Sequence, residues 1–214
     1  MTAKDKPMVT QNPKAVSPTP EKLLSAAPFW RVGMVLLVCG ALFAGCGPGG
    51  DPKSVEALEN IQHPDEAFRL NGLSTLSRMG DKAKPHADKV AALLKDTSPK
   101  VRSLAVSLLG VWGHSSPEVI QELSTMAAGD EDADTRASAL RTLSMLGAND
   151  EFAKVVKGIL AGDDANLKSE TLMTMGESTS KESVTTVKAE LEAIASGSDK
   201  GLAADAKIAL EMIE

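Results

Sequence analysis

The feature that most constrains this chain is a pattern returning on a period near 33 residues. An apolar residue is followed by a basic one, then by a small residue three places on and an apolar residue seven places on. The copies read Phe68-Arg69-Gly72-Leu76, Val101-Arg102-Ala105-Leu109, Thr135-Arg136-Ala139-Leu143, Leu167-Lys168-Thr171-Met175 and Leu202-Ala203-Ala206-Leu210. The basic position falls at 69, 102, 136, 168 and 203, giving intervals of 32 to 35 residues. Thr135 is a weak apolar residue, and Ala203 replaces the base in the last copy. A unit of this size cannot bury its apolar face alone, so copies stack and share one continuous core. Such arrays carry function on an extended surface rather than in one pocket.

Each unit divides into two helical patterns. In the second, Pro85 suits the first turn of a helix, where its missing N–H costs nothing, and Val90, Leu93 and Leu94 supply one apolar face. Asp96-Thr97-Ser98 interrupts the pattern, and Ser98 is positioned to cap a second helix that opens with Pro99. There Val101, Leu104, Ala105, Leu108, Leu109 and Trp112 recur at spacings of three and four. The other units vary this scheme, and Gly80, Gly113 and Gly147 each lie eleven residues after the basic position, where a helix can end on a left-handed residue. No segment alternates polar and apolar residues, so no strand is expected.

Leu94-Lys95-Asp96 through Val101-Arg102-Ser103-Leu104-Ala105 to Leu108-Leu109-Gly110 resembles the HEAT repeat, in the short bacterial form of phycobilisome-lyase-like proteins. The resemblance covers residues 53–214 and is strongest in the second and third units. It implies an all-α, right-handed superhelical solenoid of about five HEAT-like helix pairs, with the second helices lining the inner curve. In that family a turn Asp and a helix Arg form contacts running from repeat to repeat. Asp96 with Arg102 and Asp130 with Arg136 match this pattern, and Asp65 with Arg69 and Asp163 with Lys168 match it loosely. Residues that keep phase with the repeat serve stacking, so these are read as structural.

The segment before the repeats supplies an address. Residues 1–27 contain Pro7, Pro13, Pro18 and Pro20 among polar residues, show no apolar period and read as a disordered leader. Residues 28–45 form an apolar segment behind Arg31, and residues 46–52 a Gly-rich tether. The uninterrupted run Val32–Ala44 would rise only about 20 Å as a helix, short of the ~30 Å hydrocarbon core of a bilayer but suited to a signal peptide. Leu42-Phe43-Ala44-Gly45-Cys46 resembles the lipobox of bacterial lipoproteins, departing from it at Phe43 and in its long leader, for which Met8 offers a nearer start. That resemblance implies lipidation of Cys46 and a protein held on a bacterial membrane, facing the periplasm or the exterior. An uncleaved single anchor and a buried apolar segment are the alternatives.

Composition excludes several functions. Residues 1–45 hold five bases and two acids, leaving 18 bases against 27 acids from Cys46 onward. A net-acidic chain with 4 Phe, 2 Trp and no Tyr is a poor binder of phosphate backbones or stacked bases. The cysteines are Cys39 and Cys46 alone, so the repeats contain no disulfide or thiolate metal site. His63, His86 and His114 lack a second ligand at helical spacing, and Asp130-Glu131-Asp132-Ala133-Asp134 lacks the glycine turn and terminal Glu of a calcium loop. His114-Ser115-Ser116 has no nucleophile elbow around it. No catalytic residue, metal or cofactor is therefore expected, and Trp112 is read as core.

The function expected is a lipid-anchored, non-enzymatic scaffold that binds a protein partner at the envelope. Its contact surface is expected on second-helix residues off the core stripe: Asn71, Ser103, Ser107, Ser138, Thr142, Ser169 and Glu170. The alternatives are a phycobilisome-lyase-like enzyme or chromophore-handling protein, and a purely structural spacer.

Overall fold

The computed structural model describes residues 51–214. The leader, the apolar segment and Cys46 lie outside the described residues. The first unit pairs α1 (Pro52–Asn60) with α2 (Glu66–Met79). The second replaces a continuous first helix by a 3-10 turn at Gly80–His86, a short α3 (Ala87–Ala91) and a further 3-10 turn at Ala92–Lys95, before α4 (Pro99–Trp112). The third pairs α5 (Pro117–Gly129) with α6 (Ala133–Met145), and the fourth α7 (Asn149–Ala161) with α8 (Ala165–Ser178). In the fifth, α9 (Lys181–Thr185) and α10 (Lys188–Ala195) together precede α11 (Lys200–Glu211). No strand occurs among the described residues.

Local chemistry sets these boundaries. Asp51, Asp65, Ser98, Ser116, Asp132, Asp164, Ser180 and Asp199 each accept a backbone N–H of the helix that follows, filling donors the first turn leaves unpaired. Asp51 caps and Pro52 opens α1, so helix begins inside the expected tether. Gly113 ends α4 at φ 69°, with its N–H on the Gly110 carbonyl and the N–H of His114 on that of Leu109. Gly147 repeats the arrangement at φ 67° after α6. The expected helix start at Pro85 is corrected: with no side chain capping the segment and no N–H on Pro85, the chain stays 3-10 until Ala87. Its core residues Ala83, Ala87, Val90 and Leu94 are buried all the same.

Helices pack in two layers. Among first helices α5 meets α7 and α7 meets α9; among second helices α2 meets α4, α4 meets α6, α6 meets α8 and α8 meets α11. Each second helix also packs on the first helix of its own unit. The fold is thus an all-α solenoid with sequential helix-pair packing of the HEAT-like kind. Fully buried Leu73, Leu76, Leu109, Leu123, Leu143, Phe152, Leu172, Met175 and Leu191 run through it as one core. Each such side chain contributes about 1.5–3 kcal/mol over exposure. The small residue three after the basic position marks where the two layers touch: a methyl group on Gly72 would stand 2.7 Å from the Ala57 carbonyl oxygen and 2.8 Å from the Ile61 nitrogen.

Candidate functional site

Two surfaces need separating, a ladder of ion pairs along the turns and the outer face of the second helices. In the ladder, Arg69 grips Asp96 with Nε to Oδ2 and Nη2 to Oδ1, both at 2.7 Å, while its Nη1 donates to the carbonyls of His63 and Pro64. Arg102 repeats this one unit on, with Nε to Asp130 Oδ2 at 2.9 Å, Nη2 to Oδ1 at 2.6 Å, and Nη1 to the Asp96 carbonyl at 2.8 Å. Each turn Asp therefore serves two arginines, the preceding unit's through its carboxylate and its own unit's through its backbone carbonyl.

The sequence pairing is corrected accordingly. Asp96 and Arg102 meet, as do Asp130 and Arg136, but through the backbone carbonyl; the carboxylates reach back to the preceding unit. Asp65 caps α2, accepting the Ala67 N–H, and makes no ion pair with Arg69. Asp163 is exposed, and neither it nor Lys168 forms an ion pair among the described residues. The reason is register. Asp96 and Asp130 each lie six residues before their unit's base, and that place in the fourth unit is Gly162. Arg136 turns instead to Glu170 of α8, with Nε to Oε1 at 2.9 Å. At the opposite end the place belongs to His63, whose Nδ1 accepts the Asp65 N–H at 3.0 Å, as Asp96 Oδ1 accepts that of Ser98 and Asp130 Oδ1 that of Asp132.

Electrostatics follow from this wiring. Burial pushes the Asp96 carboxyl up, but bonds from Arg69 and the Ser98 N–H, with the charges of Arg69 and Arg102, outweigh it and hold the group below the usual carboxylate range. Hydrogen bonds to Asp96, Asp130 and Glu170 raise Arg69, Arg102 and Arg136 above their ordinary values despite partial desolvation. The hydroxyl and N–H of Thr135 lower Asp132. The acidic loop 130–134 is thereby accounted for: Asp130 binds Arg102 and Asp132 caps α6. No three metal-ligating side chains gather among the described residues. His114 Nε2 stands 3.2 Å from an Asp88 carboxylate oxygen without an aligned hydrogen bond, and Ser116 caps α5. Trp112 is buried, its indole N–H without an acceptor among the described residues.

The expected contact surface divides. Ser138 and Thr142 are buried between second helices: Ser138 shares a hydrogen bond with Ser103 of α4, and Thr142 lies over Gly110. Ser169 donates to Asp205 of α11 at 2.6 Å, and Glu170 is committed to Arg136. Ser107 and Asn71 are exposed, Asn71 in a recess between α1 and α2 lined also by Lys53, Glu56, Thr75 and Arg78. Residues one, two and six after the base therefore serve helix-to-helix contact in α4, α6 and α8, whereas Asn71, two after Arg69 in α2, stays exposed. Those five and nine after the base face outward, because nine residues at 3.6 per turn carry a side chain to the far side of the helix. There stand Val111, Met145, Met173 and Ile208, exposed by 69, 58, 53 and 52%, one on each of α4, α6, α8 and α11.

Arg78 and Arg141 share these outward positions. Each donates to a hydroxyl of its own helix, Thr75 and Ser138 respectively, and neither has a carboxylate partner among the described residues. No helix among the described residues is long and apolar enough to cross a membrane.

Residues 87–176 match the family model for HEAT repeats. Among solved structures, the complex of CpcE and CpcF of phycocyanin lyase from Nostoc sp. PCC7120 is similar at 18% identity and a TM-score of 0.53, over 78% of this chain and 67% of that one. An engineered protein is similar at 14% identity and a TM-score of 0.48, over 77% of this chain and 80% of the other. No curated protein sequence matches the chain. One expectation is overturned here. The same architecture occurs in the complex of a lyase, so a helical repeat array is no ground for reading the chain as non-enzymatic.

Proposed function

We propose that this chain is a HEAT-like scaffold that seats a protein partner across the outward face of its second helices. The observation that carries the reading is the row Val111, Met145, Met173 and Ile208, one half-exposed apolar side chain on each of four successive second helices. Large apolar groups gathered on one face of successive helices mark a contact site better than scattered ones do. Crosslinking tests it. A photoreactive residue at Met145 of the full chain, in its host cells, should yield a discrete crosslinked protein, and one at the exposed first-helix residue Lys154 should not. Crosslinks from Lys154 alone would sink the reading, and crosslinks only between copies of this chain would favour the spacer.

Membership of a lyase-like assembly that handles a chromophore is the second reading. It is favoured over the spacer by the likeness to the complex of CpcE and CpcF of phycocyanin lyase. The crosslinked assembly, assayed for chromophore transfer, separates it from plain scaffolding. Attachment to a bacterial envelope membrane through Cys46 belongs to the proposal and rests on the Leu42–Cys46 sequence. Cys46→Ser should abolish labelling by radioactive palmitate, and retained label would remove the anchor.

A further inference from the structure

Of the five arginines among the described residues, Arg69, Arg102 and Arg136 are spent on the ladder. The other two, Arg78 and Arg141, take outward positions on α2 and α6 and donate to hydroxyls of their own helices, with no ion pair among the described residues; Arg78 lines the recess that Glu56 also borders. In a chain whose acids outnumber its bases 29 to 23, guanidinium groups with no ion-paired carboxylate among the described residues, on the same face as exposed apolar side chains, are the unusual feature of this surface. The outward guanidinium groups are on α2 and α6; α8 carries the outward acid Glu177, and α11 carries Glu211 together with the exposed Lys207.

We infer that the occupant of this face is an amphipathic helix of a partner protein, acidic toward the α2–α6 end, lying across the second helices. The inference rests on the scaffold reading above and names the partner's chemistry. Charge complementarity selects the acidic end: carboxylates can accept the fork of Arg78 and of Arg141, which a basic segment would leave unpaired. The apolar row selects a helix with one greasy stripe, as in helix-in-groove recognition. From α2 to α11 are four interhelical steps of roughly 8–10 Å, some 32–40 Å in all, the length of a helix of about 25 residues.

The test uses the full-length chain in detergent and three labelled 25-residue peptides. One carries Leu at helical spacing with Glu in its first half and Lys in its second, one has these charges exchanged, and one is scrambled. By fluorescence anisotropy the first should bind at least tenfold more tightly than the others. Met145→Asp should weaken it at least tenfold with the circular dichroism melt unchanged, and Arg141→Glu should shift preference toward the charge-exchanged peptide. Absent or equal binding of the three peptides, or binding indifferent to Met145→Asp, would overturn the inference. So would self-association in sedimentation that Met145→Asp abolishes, which would assign the face to a second copy. Crosslinks from Met145 to another protein together with failed peptide binding would remove the acidic helix alone and leave the scaffold standing.

Discussion

Glu170 Oε1 accepts Arg136 Nε at 2.9 Å from a position on α8, whereas the carboxylates that receive Arg69 and Arg102 come from turns. The fourth unit's turn has Gly162 at the matching place, so a helix side chain closes the ladder. Glu170→Ala should then destabilise the protein by about 1.5–3 kcal/mol, the range for a lost hydrogen bond to a charged group. Lys168→Ala should stay within about 0.5 kcal/mol, as surface changes do. Urea unfolding compares them, and equal losses would show that Glu170 adds nothing beyond an ordinary surface residue.

Arg102 and Asp130 form the most enclosed pair, with side chains only 10 and 8% exposed. Arg102→Ala strands a buried carboxylate, for which about 3–5 kcal/mol is the usual loss. Arg102→Lys should recover less than half of it, because one ammonium cannot replace the two-point grip on Asp130 together with the bond to the Asp96 carbonyl. A melting temperature for Arg102→Lys near that of the parent would argue against this geometry.

Acid should weaken the array through Asp96. Its folded-state carboxyl is held low, so the unfolded chain binds more protons as the medium turns acidic. The stabilisation is present above the ordinary Asp value of about 3.9 and is lost as pH falls from there toward the lower folded value. Stability followed between about pH 5 and pH 2 should fall less steeply in Asp96→Asn than in the parent. Parallel slopes would count against it.

Gly72→Ala should cost about 1–3 kcal/mol, the range for overpacking. The added carbon would meet the backbone of α1 at the Ala57 oxygen and the Ile61 nitrogen, which cannot swing aside as a flexible side chain can. The equivalent position is Ala105 in α4 and Ala139 in α6. Thermal unfolding of Gly72→Ala decides the matter, an unchanged midpoint meaning that α1 moves away freely.

Much of the fold can be read from the period. The pairs of helices, the cap at Ser98 and the glycine stops after α4 and α6 all follow from residue types at fixed offsets. Pro85 misled because a proline suits both the first turn of an α-helix and a 3-10 turn, and no local residue distinguishes them. The ladder partners were hidden for a geometric reason: in an array the Asp six residues before Arg102 and the Asp 28 residues after it occupy equivalent turns. Only the stacking decides which offers a carboxylate and which a carbonyl. Val111, Met145, Met173 and Ile208 pass for core residues on composition alone, yet their offsets of nine and five from the basic position already put them opposite the apolar stripe. That signal was available. Ser138 and Thr142 lie two and six residues after it, beside the neighbouring helix, so their polarity suggested exposure that packing removes.

Because each turn Asp answers to two arginines at once, the stretch from Asp96 to Arg102 and that from Asp130 to Arg136 cannot change length without breaking two bonds. Connecting segments ordinarily absorb insertions and deletions with little penalty. Here tolerance is divided unevenly between the two edges of the array. The links after α4 and α6, which carry no ladder residue, are where a codon can be gained or lost, and the acidic turns are where the reading frame of the stack itself would slip.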